Sequence, residues 1–369
     1  MKKKIFSILL IITLAITLMS CGSGKNTSEE NVTSETEEVK TGESETETKE
    51  KKALSGHTAK VVKFGLCSPS GTSVVDGVLG VAVSNGFFEK ELEKIGVKVE
   101  FSGLSGAGPA VNEAMASGKL DVGMIGEFAA TTAKSSGVDT TLLCNDASLT
   151  PTSIIVAGNS DIKEVKDLVG KKVAYPKGTC NQQIFMNQIE KAGISINDIN
   201  VVNATYGDMP TLLLAGEVDA ISSVNVASII ELVKDGSLRF LVNGNEKENE
   251  DCVAYGNLVM RTGYLKENPD IAIALLKGYR KAIEYANTDP EILKNQWKAS
   301  GNNEELFEFL WPDGIVTEPE LVLTQDKIDE KKEVVKFMLE NELISDEVNI
   351  EEWYDSAYAQ QAEAELEKE

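Results

Sequence analysis

One stretch of this chain is written twice. Ala116-Ser117-Gly118-Lys119-Leu120-Asp121 is echoed by Leu214-Ala215-Gly216-Glu217-Val218-Asp219. In each copy a helix is closed by Gly, the residue best suited to the left-handed position after a helix. A short strand then opens at Asp. Each strand runs, at the same offset, into a polar loop: Gly126-Glu127 in the first copy, Val224-Asn225 in the second. Helix-to-strand turns are built alike in many folds, so the echo alone would carry little. Its weight comes from the pattern around it.

From Val61 onward the chain alternates strand, small-residue loop and helix. Val61 to Leu66 reads as a strand, Cys67 to Ser73 as a loop, and Asp76 to Ser84 as a helix with Val78, Leu79 and Ala82 on one face. Asn85-Gly86 is a helix stop. Val97, Val99 and Phe101 alternate as strand residues do. Pro109 stands where the first turn of the next helix tolerates it. Strands alternating with helices predict parallel sheets with helices on both faces. Two related units in one chain predict an α/β protein of two lobes, each a mainly parallel sheet flanked by helices, joined by a hinge. In open α/β sheets ligands bind beyond the carboxyl ends of strands. Two such lobes face to face would set Glu127 and Asn225 on opposite walls of one cleft.

The N-terminus speaks to compartment. Met1 is followed by Lys2, Lys3 and Lys4 and an apolar run from Ile5 to Met19. This is a signal-peptide pattern, too short for the ~20 apolar residues of a spanning helix. It ends at Leu18-Met19-Ser20-Cys21-Gly22, which resembles the bacterial lipobox. The resemblance implies cleavage before Cys21 and lipid on its sulfur, so residues 1–20 are expected to be a lipoprotein signal. Two acyl chains suffice for stable anchoring. Residues 21–56 are rich in Glu, Ser, Thr and Lys with almost no large apolar side chains. Such a segment cannot offset its ordering entropy and is expected to be a disordered acidic tether. The expected location is extracytoplasmic, anchored to the cell membrane. Residues 57–157 and 246–369 are assigned to lobe 1, and 158–245 to lobe 2.

Formal net charge is −23, and −26 once the three signal lysines are removed. That argues against a nucleic-acid partner, which needs a basic face. It also means an anionic ligand must be caught by local dipoles against the global field. Beyond Cys21, Cys67, Cys144, Cys180 and Cys252 are widely spaced, with no CxxC pair. Free, half-buried thiols are expected rather than disulfides, and no metal site or other cofactor. The only histidine, His57, falls at the end of the tether.

Three segments carry a family resemblance. Asp121-Val122-Gly123-Met124-Ile125-Gly126-Glu127 is one. Ile162 to Ala174, with Asp167-Leu168 and Gly170-Lys171, is the second. Pro176-Lys177-Gly178-Thr179, a loop opening a helix, is the third. Together they resemble the type II periplasmic-type solute-binding proteins of ABC importers, in the aliphatic-sulfonate, nitrate and taurine group, over roughly residues 60 to 360. After Asp219 the chain departs from that group. It has Ser222-Ser223-Val224-Asn225-Val226 where sulfonate-type members often carry Trp and Asp-Pro.

The candidate site follows from the strand-end rule and the resemblance. Gly178, Thr179, Cys180 and Asn181 open a helix whose N–H groups and dipole could hold an anion without Arg. Thr179 could equally cap that helix, for ~1 kcal/mol. Ser68 and Ser70 follow the first strand, Ser105 and Gly106 the second, Glu127 and Phe128 the third. Asp208 follows a strand ending near Ala204, and Asn225 the strand that opens at Asp219. The carboxylates Glu127 and Asp208 would favour a ligand with an amine or ring N–H. The resemblance implies binding without catalysis: a sulfonate-, nitrate- or taurine-like anion or zwitterion, captured by a monomer and delivered to membrane permease subunits. A binder of a thiamine-pyrimidine-like or amine-bearing ligand is the alternative. From other classes, an enzyme of thiamine-pyrimidine synthesis would need active-site histidines and a Cys-rich stretch, both lacking here. A receptor-coupled sensor lipoprotein shares every feature of the importer subunit.

Overall fold

The structure is a computed structural model and describes residues 54–68, 70–146, 150–224, 227–311, 315, 317 and 321–369. The expected signal, Cys21, most of the expected tether and Asn225 lie outside these residues.

Among the described residues, two sheets are built from eleven strands. The first contains β1 (Val61–Cys67), β2 (Lys98–Leu104), β3 (Val122–Gly126), β4 (Thr140–Asn145) and β11 (Gly256–Arg261), in the order β2-β1-β3-β11-β4. The second contains β5 (Thr150–Ala157), β6 (Lys172–Tyr175), β7 (Asn200–Asn203), β8 (Ala220–Val224), β9 (Leu238–Val242) and β10 (Val253–Ala254). Its order is β7-β6-β8-β5, with β9 and β10 both paired to β5. The two plans correspond: β1 with β6, β2 with β7, β3 with β8, β11 with β5. In each sheet one strand, β11 or β5, runs antiparallel to its neighbours. Both follow directly on a passage of the chain from one sheet to the other. The other strands end at the cleft, so a strand that enters its sheet from the cleft must run the opposite way.

This corrects the lobe boundaries drawn from sequence. Residues 150–157 were assigned to lobe 1, but β5 pairs with β8 and β9 in the second sheet. The first passage therefore lies between Asn145 and Thr150. The return is at Tyr255, between β10 and β11, and not near residue 246. The last residues of the expected tether are attached to the fold. Leu54 N–H donates to Gln361 Oε1 (2.9 Å) and Gly56 N–H to Asp270 Oδ1 (2.8 Å), so residues 54–56 are tied to the first lobe. His57 continues the attachment, with Nδ1 3.2 Å from Asp270 Oδ2.

The written-twice stretch has one physical job in both sheets. Gly118 (φ 72°) and Gly216 (φ 70°) hold the left-handed turn that ends each helix. The Asp that follows clamps the neighbouring strand. Asp121 N–H donates to Lys63 O (2.9 Å) while its Oδ2 accepts from Lys63 N (3.0 Å). Asp219 makes the same pair with Lys172, at 2.8 Å each way.

The central strands of each sheet are buried on both faces, while the edge strands β2 and β7 alternate or stay partly exposed. In β5, Ile154 and Val156 enter one cluster with Val173, Tyr175 and Phe185. Ile155, between them, enters another with Ala174, Met209 and Ile221. In the first lobe Phe64 and Leu66 pack against the helices Gly77–Ser84, Phe87–Lys94 and Pro269–Ala286. Val111, Met115, Phe128 and Trp353 fill the opposite side.

Candidate functional site

A cavity of about 230 Å³ opens where the strands of both sheets end. From the first lobe it is lined by Cys67 and Ser68 after β1, Ser105 after β2, Met124 to Gly126 of β3, and Asp146 after β4. From the second come Thr179 and Cys180 after β6, Tyr206 after β7 and Val224 of β8. Tyr255, the returning residue, forms part of the wall.

Four helices begin at this wall. Gly77–Ser84, Ala107–Ala116 and Cys180–Lys191 contribute their first residues, and Glu127–Ser135 contributes its N-cap, Gly126. In none of the four does the N-cap residue's own side chain cap the helix, and the Glu127 N–H donates to Tyr255 O (3.0 Å). The five helices between Pro290 and Leu366 do have such a cap, while Phe87–Lys94, Met209–Leu214, Thr262–Glu267 and Pro269–Ala286, whose first residues lie off the wall, lack one as well. Thr179 stands at an N-cap position, yet its hydroxyl donates to Pro176 O (2.7 Å) and does not fill the capping role expected of it. Helix N-termini without caps present N–H groups and a positive dipole end. Ala107 on the same wall has φ 54°, a left-handed conformation that costs a non-glycine roughly 1–2 kcal/mol.

Two carboxylates, Asp76 and Asp146, are the charged groups of the wall, and no Lys, Arg or His lines it among the described residues. Asp76 is open to the cavity, yet the protein around it and the neighbouring Asp146 carboxylate push its pKa up. Asp146 is fixed in place. Its N–H donates to Gly256 O (2.8 Å), the Tyr279 hydroxyl donates to Oδ1, and a Cβ on Gly256 would meet the Asp146 Cβ at 2.8 Å. Only glycine allows that approach. Burial and the nearby Cys180 thiol push Cys67 up to about 12; burial pushes Cys180 up to about 11 against the N–H groups of Asn181 and Cys180. The Cys67, Cys144 and Cys180 thiols are free; Cys67 and Cys180 are half-buried, while Cys144 and Cys252 are buried outright.

The structure brings Ser68, Ser105, Thr179 and Cys180 together on the wall. Gly106 and Gly178 sit beside it in sequence. Gly106 is an N-cap, and Gly178 (φ 74°) donates its N–H to Gln182 Oε1 (2.9 Å). Asn181 is buried behind it and donates to Tyr206 OH (2.7 Å) and Thr179 Oγ1 (3.3 Å). Ser70 is exposed and bonded to Ser68 and Thr72. Asp208 is exposed, accepts from Thr205 Oγ1 (2.6 Å) and does not line the cavity.

Glu127 and Phe128 also lie off the wall. Helix Glu127–Ser135 turns both inward. Glu127 is ion-paired with Lys331 and accepts from Asn257 Nδ2 (2.9 Å), and Phe128 is 2% exposed in the core. The sequence reading missed Asp76, Asp146, Tyr206 and Tyr255. Asp146 follows β4 directly, so the strand-end rule applied to that strand finds it.

Comparison with known proteins assigns the fold to a family. The family model described as "NMT1/THI5 like" matches residues 77–292, more than half of the chain. The chain belongs to this family. A putative aliphatic sulfonates-binding protein of Bacillus subtilis (strain 168) is 25% identical over 298 residues, covering 76% of this chain and 83% of that protein. Among solved structures, the alkanesulfonate-binding protein SsuA from Xanthomonas axonopodis pv. citri, bound to MOPS, superposes with a TM-score of 0.67 at 19% identity. That match covers 82% of this chain and all of that one. The desulfurization enzyme DSZB has a TM-score of 0.60 at 14% identity, over 83% of this chain and 99% of its own. The architecture is that of periplasmic solute-binding proteins, the expected fold class, and it also accommodates an enzyme.

Proposed function

We propose that this chain is the extracytoplasmic solute-binding lipoprotein of an ABC importer, and that it holds a small anionic or zwitterionic ligand in the cavity between its sheets. One observation carries the reading: four uncapped helix N-termini, drawn from both lobes, converge on one cavity. Such termini bind oxyanions through N–H groups and dipole without a basic side chain. Ser68, Ser105 and Thr179 would add hydroxyl donors, and Cys180 the start of the second-lobe helix. A sulfonate-like head suits this arrangement, in keeping with the names of the relatives. Ligand touching both lobes would favour their closure about the two passages of chain between the sheets, and the closed form would dock on a permease.

The enzyme reading needs a prepared nucleophile. A thiolate, not a thiol, attacks, and Cys67 and Cys180 are held protonated at neutral pH by burial. His57 is engaged with Asp270, outside the cavity wall. Both points favour capture without chemistry.

A thermal-shift screen against sulfonates, nitrate, carboxylates, amino acids and pyrimidines tests the reading, because a ligand bound to the native state raises the unfolding temperature. One class should stabilise the protein, and Ser68→Ala with Thr179→Val should remove the effect. A flat response to every class defeats the proposal. For the anchor, Cys21→Ala should move the protein from the membrane to the soluble fraction.

A further inference from the structure

The cavity holds two conflicting demands. Its helix N-termini favour an anion. Its charged side chains, Asp76 and Asp146, oppose one. No basic lining residue offsets them, and the residues that follow Asp146 and Val224 in sequence (Ala147, Ser148, Leu149, Asn225 and Val226) supply none. The protein as a whole, at −23, repels anions too. A simple oxyanion would satisfy the dipoles and leave both carboxylates facing a third negative charge.

We infer that the ligand is a zwitterion whose protonated amine lies against Asp76 and Asp146 while its acidic head meets the helix N-termini. The inference rests on the solute-binding reading above and names the ligand class for the same cavity. Three features support it. Asp146 is held in one orientation by Tyr279 and Gly256, as a recognition group must be. Asp76 occupies an N-cap position without capping its helix, and it stands exposed on the wall. Behind the wall, Asn181 is fully buried and its Oδ1 has no hydrogen-bond partner, although its Nδ2 serves Tyr206 and Thr179. On the wall itself, the acceptors for a donor-bearing ligand are the Asp76 and Asp146 carboxylates. Beyond the aspartates and the hydroxyls of Ser68, Ser105 and Thr179, the lining includes the apolar or aromatic Val75, Leu79, Met124, Ile125, Tyr206 and Tyr255, which suits a short carbon linker between the two charged ends.

Matched probes separate this from simple anion capture. Calorimetric titration of the full chain with 2-aminoethanesulfonate against ethanesulfonate, and 3-aminopropanoate against propanoate, isolates the amine at constant head and length. In at least one pair the amino compound should bind more than about tenfold tighter, the scale of a well-placed charge pair across a binding surface. Asp76→Asn and Asp146→Asn should each erode that ratio and leave the weaker, amine-free compound unchanged or improved. Circular dichroism of the variants verifies that they fold; if Asp146→Asn does not, Asp76→Asn alone carries the test. Equal affinity within both pairs overturns the inference. So does an amine preference that survives both substitutions. Failure of every zwitterion overturns it as well, and the solute-binding reading then stands or falls on the wider screen, where any stabilising anion preserves it.

Discussion

Replacing Lys331 by Met probes the polar cluster that fixes the first-lobe rim of the cavity. Lys331, on helix Gln325–Glu340, is 3% exposed and ion-paired with Glu127, itself 6% exposed. Its Nζ also donates to Asn257 Oδ1 (2.7 Å), and Asn257 Nδ2 donates to Glu127 Oε2 (2.9 Å). Glu127 Oε1 already lacks a partner. Gly126 and Gly256, the residues just before Glu127 and Asn257, line the cavity. Methionine keeps the length and most of the packing of lysine but removes the ammonium, leaving a buried carboxylate with one neutral donor. Removing one partner of a buried ion pair costs about 3–5 kcal/mol. Urea unfolding of the ligand-free protein at neutral pH should show that loss as a lower midpoint at unchanged slope. The double variant Glu127→Gln, Lys331→Met carries no buried charge. It should be more stable than Lys331→Met alone, because replacing both ions with uncharged groups is often near neutral. A loss below about 1 kcal/mol for Lys331→Met, the scale of a surface pair, would refute the reasoning, as would a double variant less stable than the single one.

The two strand clamps should differ in weight: Asp121→Ala should destabilise more than Asp219→Ala, because Asp121 also pairs with Arg261 (2.7 Å). Urea midpoints decide, and equal losses would mean that the ion pair adds nothing. In acid, hydrogen bonds from Lys277 and Lys281 hold Glu369 down to about 2. Burial would raise Glu91, but Lys281 and Lys94 overcome it and lower it. Depressed carboxylates contribute stability that is full above the ordinary value near 4.5 and lost as pH falls through the folded value. The unfolding temperature should therefore drop between about pH 5 and pH 2, less steeply in Glu91→Gln, and parallel curves would contradict this. The raised thiols predict that iodoacetamide alkylates the native protein at pH 8 roughly 100-fold more slowly than the unfolded chain, with the gap closing above about pH 10. Fast labelling of Cys67 or Cys180 at pH 8 would show that burial does not control them.

Much of this architecture could be read from the sequence because it is local. A helix closed by Gly118 or Gly216 and a strand opened by Asp are contiguous signals, and the structure uses both copies alike. Sheet membership is not local. β5 follows β4 in sequence and looks like its neighbour, but its partners are β8, β9 and β10, from about 60 to 100 residues further on. The site divides along the same line. Ser68, Ser105, Thr179 and Cys180 follow strands and face the cavity. Glu127 follows a strand too, yet its partner is Lys331, 204 residues away, and nothing near Glu127 announces it. Four aspartates of the two lobes show this division most clearly. Asp121 and Asp219 precede strands, at the end away from the cleft, and bond to the neighbouring backbone. Asp146 follows a strand and Asp76 follows the loop beyond one, and both face the cavity. The residue type is identical in all four. For these four, the end of the strand on which the aspartate stands separates the clamp from the cavity-facing residue, whereas Asp208, which also follows a strand, is exposed, bonded to Thr205 and off the wall.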